Sequence, residues 1–197
     1  MYGIYDNGKV IARFTAPMTV RSNHPVFVSD TLSLKRFISR RSAQRWEIDA
    51  GLEPLTFSAG DLFVNLVTKG YSETVTVIMP QNYGVVQKRT LSSTTVTATG
   101  SAGATSVTVA ANTGFMPKGT FVKFSSHSKI YMTTSDRTTN GSVSIYPALS
   151  ASVSGTMFCG DDVQLSCLYD TDVVSGMVYS DGIQMDVGTV RLVEKLW

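Results

Sequence analysis

The side chains that most often carry catalysis are sparse in this sequence. Its histidines are His24 and His127, which lie far apart and in segments of different character. A Ser/His/Asp or Cys/His arrangement would need one of them to meet its partners across a domain boundary. Each therefore reads as a surface or turn residue. Asp161, Asp162, Asp170 and Asp172 form the densest acidic group. Carboxylates of this kind can hold a hard cation, but the spacing fits no calcium loop and lacks the closing bidentate Glu, so solvated turns are the better reading. Glu47 and Asp49 share one strand face, the minimum for a glycosidase-like pair; two carboxylates on an exposed face more commonly serve solubility. Gly100-Ser-Ala-Gly103 superficially resembles a phosphate loop, yet no Lys-Ser/Thr follows and no helix starts there, so a flexible connection is expected. No cofactor and no enzymatic activity are expected.

One charge feature stands out. Lys35, Arg36, Arg40, Arg41 and Arg45 fall close together with no acid among them. Such a cluster can contact DNA phosphates or the acidic face of a neighbouring subunit. Apart from Phe37 and Trp46 no aromatic side chains are interleaved for base stacking, which favours a subunit interface over DNA. A solvated loop is the remaining alternative. Within the cluster, Arg40 and Arg41 are the foremost interface candidates, because clustered cations with little local acid need complementary charge from elsewhere.

The bulk properties agree with a scaffold. The 197 residues can bury a good-sized core without staples. Hydrophobic residues make up 43% and charged residues 16%, against about a quarter charged in an ordinary soluble domain, which hints at surface hidden in an assembly. The net charge of +2 is too weak to predict a nucleic-acid or membrane partner. Cys159 and Cys167 make neither a secreted disulfide framework nor a zinc site, and are expected as reduced thiols in a cytoplasm. No basic-then-apolar leader opens the sequence and no run approaches the ~18 apolar residues that span a bilayer, so neither export nor a lipid anchor is expected.

The elements that would position these residues are mostly strands. Tyr2–Tyr5 and Lys9–Phe14 predict a hairpin around Asp6-Asn7-Gly8. Pro25-Val-Phe-Val28 is strand-like, and Arg45–Asp49 alternates, placing Trp46 and Ile48 on a core face and Glu47 and Asp49 on the other. Ser58-Ala-Gly-Asp61 resembles a capping box and leads into Leu62, Phe63, Leu66 and Val67 at helical spacing, which predicts the only substantial helix over about 59–70, closed by Gly70. Val75, Val77 and Met79 then share one face of a strand.

From about residue 90 the composition turns to Ser, Thr, Ala, Gly and Val, and charge returns only at Lys118. Short strands at Val107/Val109, Phe121–Phe124, Ile130–Met132 and Val143/Ile145, with turns at Pro117-Lys-Gly119 and Asn140-Gly141, predict a small barrel. After Gly155 the earlier character returns: Val163, Leu165, Cys167 and Tyr169 alternate, and Val173–Tyr179 and Ile183–Leu196 follow, broken at Asp181-Gly182. The pattern predicts a discontinuous β domain of residues 1–89 and 161–197, with a second β domain inserted over 90–160.

Ser106-Val-Thr-Val109, Pro117–Phe124, His127–Tyr131 and Ile145-Tyr-Pro-Ala-Leu149 resemble a β module of phage tail and other virion proteins. Together with Trp46-Glu-Ile-Asp49, the helix and Val75–Pro80, they resemble the distal tail protein of long-tailed phages infecting Gram-negative bacteria. The resemblance implies a mainly β fold: a tail-tube-like β-sandwich or barrel with one helix, split by an inserted OB-like barrel. It implies a homohexameric virion ring at the distal tail or baseplate, assembled in the host cytoplasm and joining the tail-tube protein to the hub or tip protein. Neither a membrane nor a sequence-specific nucleic acid is an expected partner. In that ring, unpaired strand edges of the split domain would extend a continuous inner barrel across copies. Two alternatives stay open: a tube initiator in a contractile baseplate, and a carbohydrate-binding module, since OB-like barrels can take oligosaccharides.

Overall fold

Asn7 and Gly8 take positive φ angles of 47° and 79°, the conformation of a two-residue turn that matches the twist of the strands it joins. That turn connects β1 (Gly3–Asp6) to β2 (Lys9–Asn23), with Asp6 opposite Lys9. The computed structural model describes residues 2–40, 43–53, 59–69, 73–81, 95–110, 115–137, 141–160, 163–170, 178–180, 184–186 and 188–196. The fold is mainly β, with one helix among the described residues.

Strand β2 is far longer than the local pattern suggests, because β5 (Arg45–Leu52) pairs antiparallel with it from Phe14 to Asn23. With β6 (Val75–Ile78), β13 (Gln164–Tyr169) and β16 (Thr189–Glu194), these strands close a barrel in the order β1-β2-β5-β16-β13-β6. Period-2 alternation fills it: Ile4, Ile48, Val75, Val77, Leu165, Cys167 and Leu192 are buried in one apolar cluster. Helix α1 (Ala59–Lys69) adds Leu62 to that cluster. Asn65 holds the helix to the barrel, accepting from the Tyr169 hydroxyl at 3.3 Å and donating to Asp6 at 3.0 Å. Val67, expected on the helix's buried face, is exposed, and the buried polar Asn65 occupies the core side instead. Phe63 and Leu66 side chains, Ser58 and Gly70 lie outside the described residues.

A second set of strands closes on itself: β7 (Thr95–Gly100), β8 (Ser106–Val109), β9 (Phe121–Phe124), β10 (Ile130–Thr133), β11 (Gly141–Tyr146) and β12 (Val153–Cys159), in the order β10-β11-β8-β7-β12-β9. Gly100–Gly103 is no loose connection. It is a hydrogen-bonded turn in which Gly103 N–H donates to Leu149 O at 2.7 Å and Ala104 N–H to Ser101 O at 3.1 Å. Both barrels being closed corrects the expectation of many unpaired edges in the split domain: its barrel strands find their mates within the chain. Among the described residues, free edges belong to two two-stranded sheets, β3 (Val26–Asp30) with β4 (Arg36–Arg40), and β14 (Val178–Ser180) with β15 (Gln184–Asp186).

Strands β9 and β10 serve two cores at once. Val122, Phe124 and Tyr131 point into the second barrel, while Phe121, Ile130 and Met132 pack against the first. Phe121 meets Trp46 edge-on, with centroids 5.1 Å apart. In the same seam lies a buried ion pair, Lys129 Nζ to Glu194 Oε2 at 2.5 Å. The ammonium also donates to Gln44 O at 2.9 Å and Gln44 Oε1 at 2.5 Å. Glu194 accepts the backbone N–H groups of Trp46 and Ile130, each at 3.0 Å, and the Trp46 indole N–H donates to Ile130 O at 2.9 Å. Burial pushes the Lys129 pKa below the ordinary lysine value, and the adjacent Glu194 carboxylate opposes that shift.

Removing one partner of a buried pair leaves the other charged and desolvated. Lys129→Ala is predicted to cost about 3–5 kcal/mol in urea unfolding, whereas Lys129→Met combined with Glu194→Gln, which removes both charges and keeps a side-chain oxygen for the buried N–H groups, should cost markedly less. Equal losses for the two variants would show that the pair carries no electrostatic weight.

Candidate functional site

The chemistry-bearing residues do not converge. His24, at the end of β2, lies 3.1 Å from Ser22 Oγ through Nε2 and within hydrogen-bond reach of the Tyr146 hydroxyl, on the second barrel. His127 Nδ1 is 3.0 Å from Ser126 Oγ, and its Nε2 is 2.7 Å from the buried Tyr131 hydroxyl, which also contacts Ser150 Oγ at 3.0 Å. Each ring thus has a serine neighbour, but among the described residues neither is hydrogen-bonded to a carboxylate that would orient it as a base. Burial, aided by the charge of Lys123, holds the His127 pKa below the usual histidine value.

The carboxylates are engaged internally. Contrary to the expectation of an exposed, solubilising pair, Glu47 is buried and Asp49 half-buried. Burial raises the Glu47 pKa, but hydrogen bonds from Asn23 and Arg45 and the charges of Arg45 and Arg191 outweigh it and hold the carboxyl below its ordinary value. Asp49 pairs with Arg21 of β2 and, at 2.9 Å, with Arg191 of β16. Asp170 lies 3.7 Å from Arg191. Asp161, Asp162 and Asp172 lie outside the described residues, and no group that could hold a metal ion occurs among the described ones. Cys159 and Cys167 are buried thiols, and desolvation raises the Cys167 pKa, which suppresses the reactive thiolate.

A cleft of about 410 Å³ opens where the barrels meet, beside Gln44, Lys129, Pro147 and Leu196. Its polar groups are already satisfied: Lys129 by Gln44 and Glu194, and Ser150 by Tyr131. Nothing in it aims an unpaired polar atom at a ligand.

Among the described residues, most of the exposed large apolar side chains gather on the β3–β4 hairpin. Its strands pair with each other and with no other strand. Val28 stands opposite Ile38 with Val26 on the same face, while Phe27 and Phe37 lie on the other. All five are exposed, Phe27 at 68% and Phe37 at 62%. At the turn, Leu32 and Leu34 are 109% and 90% exposed, and Leu34 has a φ of 61°, a left-handed conformation that costs a non-glycine residue roughly 1–2 kcal/mol. The turn itself is built: Leu34 N–H donates to Thr31 O at 2.9 Å, and Lys35 N–H to Thr31 Oγ1 at 3.2 Å.

The basic cluster divides across this arm. Lys35 is at the tip and Arg36 begins β4, where its guanidinium grips Asp30 across the hairpin at 3.0 and 3.3 Å. Arg40 ends β4 opposite Val26, Arg41 lies outside the described residues, and Arg45 at the root bonds Glu47 at 3.0 Å. The premise of cations without acid is thereby corrected for Arg36 and Arg45, whose counter-charges come from Asp30 and Glu47. The apolar character of the arm was readable in Val26, Phe27, Val28, Phe37 and Ile38, but alternation alone could not show that neither face meets a core. No helix among the described residues is long and apolar enough to cross a membrane. Compared with known proteins, the chain matches no family model and no curated protein.

The shift of His127 has a definite sign. A folded pKa below the unfolded value near 6.5 means that the unfolded chain binds more protons as pH falls through that value, so stability drops below it until the folded form also protonates. His127→Gln should flatten the fall of the thermal midpoint between pH 6.5 and the acid limb; an unchanged slope would assign that fall to other groups.

Proposed function

We propose that this protein is a structural, self-assembling subunit of a virion: a ring component at the distal end of a phage tail, joining the tail tube to the hub. The observation that carries this reading is the β3–β4 arm, whose seven large apolar side chains (Val26, Phe27, Val28, Leu32, Leu34, Phe37 and Ile38) stand in solvent. A two-stranded hairpin is marginal by itself in water, and contiguous exposed apolar surface marks an interaction site. The left-handed Leu34 strengthens the case. Glycine or asparagine would relax that position, so a strained leucine at the exposed tip implies a contact outside the chain.

Magnitudes favour a closed assembly over a simple pair. Burying these seven side chains, five of them already partly covered, yields roughly 10 kcal/mol. That is comparable to the roughly 4–15 kcal/mol lost on association, so one arm contact is marginal. In a ring each copy both gives and receives an arm, and no contact is left open. Because the barrels are already closed, copies meet through the arm and not by adding strands to one shared barrel. The resemblance of the sequence to distal tail proteins supplies the hexameric copy number, the tail-tube and hub neighbours and the absence of a catalytic task. It also supplies the OB-like reading of the inserted barrel, which here has six strands where an OB-fold has five.

Native mass spectrometry with negative-stain imaging tests this directly. A six-membered ring is expected, and Phe27→Asp with Phe37→Asp should leave folded monomers, since both aromatic side chains lie in solvent in the single chain; their thermal midpoint should fall below that of the ring, which loses its interface stabilisation. A parent protein that stays monomeric at every concentration sinks the proposal. Leu34→Gly should weaken ring formation while holding or raising monomer stability by up to about 1 kcal/mol.

A further inference from the structure

The chain leaves the first barrel at His24 to make the arm and re-enters it at Gln44, and at both points it is held by the second barrel. On the outgoing side, the His24 imidazole reaches the Tyr146 hydroxyl at the end of β11, their rings 5.6 Å apart. On the returning side, both the backbone carbonyl and the side-chain carbonyl of Gln44 accept from Lys129, which precedes β10. The two passes are tied to each other as well: Gln44 Nε2 donates to Ser22 Oγ at 3.0 Å, and Ser22 Oγ in turn contacts His24. Between these two points, every hydrogen bond and ion pair of the described residues stays within the arm: the β3–β4 ladder, the Thr31 turn and Arg36 with Asp30.

We propose that the inserted barrel is the aiming element of the arm: the His24–Tyr146 and Gln44–Lys129 contacts clamp its two root passes and fix the direction in which its apolar strands project. The physical reason lies in the geometry of a lone hairpin. With no third strand and no packed face, the ladder stiffens the arm along its length but gives it no preferred angle to the barrel it springs from. Direction must come from the root. There the first barrel supplies the strands β2 and β5, whose pairing ends at Asn23 with Arg45, so no strand ladder of that barrel continues into the arm. The second barrel supplies one contact on each pass, and two contacts on opposite passes resist rotation where one would not. Lys129 is itself buried and locked to Glu194, so the returning pass is anchored to the seam that joins the barrels.

The meaning of this inference rests on the arm being the assembly surface, since a ring closes only if each arm meets its neighbour at a fixed angle.

The aim can be measured in single copies. Nitroxide labels at Leu32→Cys on the tip and at Ala151→Cys, an exposed position of the inserted barrel, report the tip-to-barrel distance by pulsed electron resonance in the monomeric Phe27→Asp/Phe37→Asp background. Cys159 and Cys167, fully buried, do not compete for label. The expected result is a single narrow distance peak, lost in His24→Ala and in Tyr146→Phe, with the thermal midpoint of each variant close to that of the labelled parent. A peak that stays narrow in either variant, or a parent already broad, overturns the proposal. Ring formation is read separately on the unlabelled chain with its arm intact, so failure to assemble and failure of the aim are distinguishable outcomes.

Discussion

The seam between the barrels depends on one buried charge pair. Lys129 and Glu194 lie where Trp46, Phe121 and Ile130 exclude water, and the cost of desolvating two ions is several kcal/mol each. They are tolerated because the site is satisfied on both sides. Three acceptors, two from Gln44 and one from Glu194, take the ammonium's protons, and the carboxylate receives the N–H groups of Trp46 and Ile130 as well. An apolar seam would hold the barrels together but could slide. The charge pair and its hydrogen bonds tie Gln44 and Trp46, beside the arm's root, to Ile130 of β10 and Glu194 of β16.

Closure limits where strand edges stay free. A sheet edge exposes a row of unpaired N–H and C=O groups, and two barrels that close on themselves remove that hazard from most of the structure. Among the described residues they leave two two-stranded sheets, of which β3–β4 is apolar on both faces. Its Arg36–Asp30 pair is exposed and worth little, so it organises the hairpin and does not stabilise it much. Within the single chain, the seven large apolar side chains of the arm stay exposed.

Both barrels were partly legible in the sequence, and for a common reason. Where a strand buries one face, alternation reports it, as at Val75, Val77 and Met79 or at Val163, Leu165, Cys167 and Tyr169, all buried. The Asn7-Gly8 turn and helix α1 were equally clear, since positive φ and the 3.6-residue period leave local marks. Strand β7 was hidden because Thr95–Gly100 alternates threonine with small residues and lacks the bulky apolar signature of a strand. Val67 misled because an apolar side chain at helical spacing cannot announce that the helix turns a polar Asn65 inward to meet Tyr169 and Asp6.

The candidate site shows the division most plainly. The sequence by itself determined the residue types of the arm, the clustering of its cations and the scarcity of histidine and cysteine, because composition and near-neighbour spacing are properties of the chain alone. Only the tertiary structure decided which of those residues are isolated and which are matched. Asp49 became a half-buried counter-ion because β2 and β16 bring Arg21 and Arg191 against it, Glu47 became a buried one bonded to Arg45 of its own strand and to Asn23 of β2, Arg36 found Asp30 across a turn, and the two histidines were separated into different hydrogen-bond networks. The same holds for the exposure of Phe27 and Phe37: whether an apolar strand lies in a core or in solvent is set by what packs on it, and pairings between residues distant in sequence are fixed only when the barrels close.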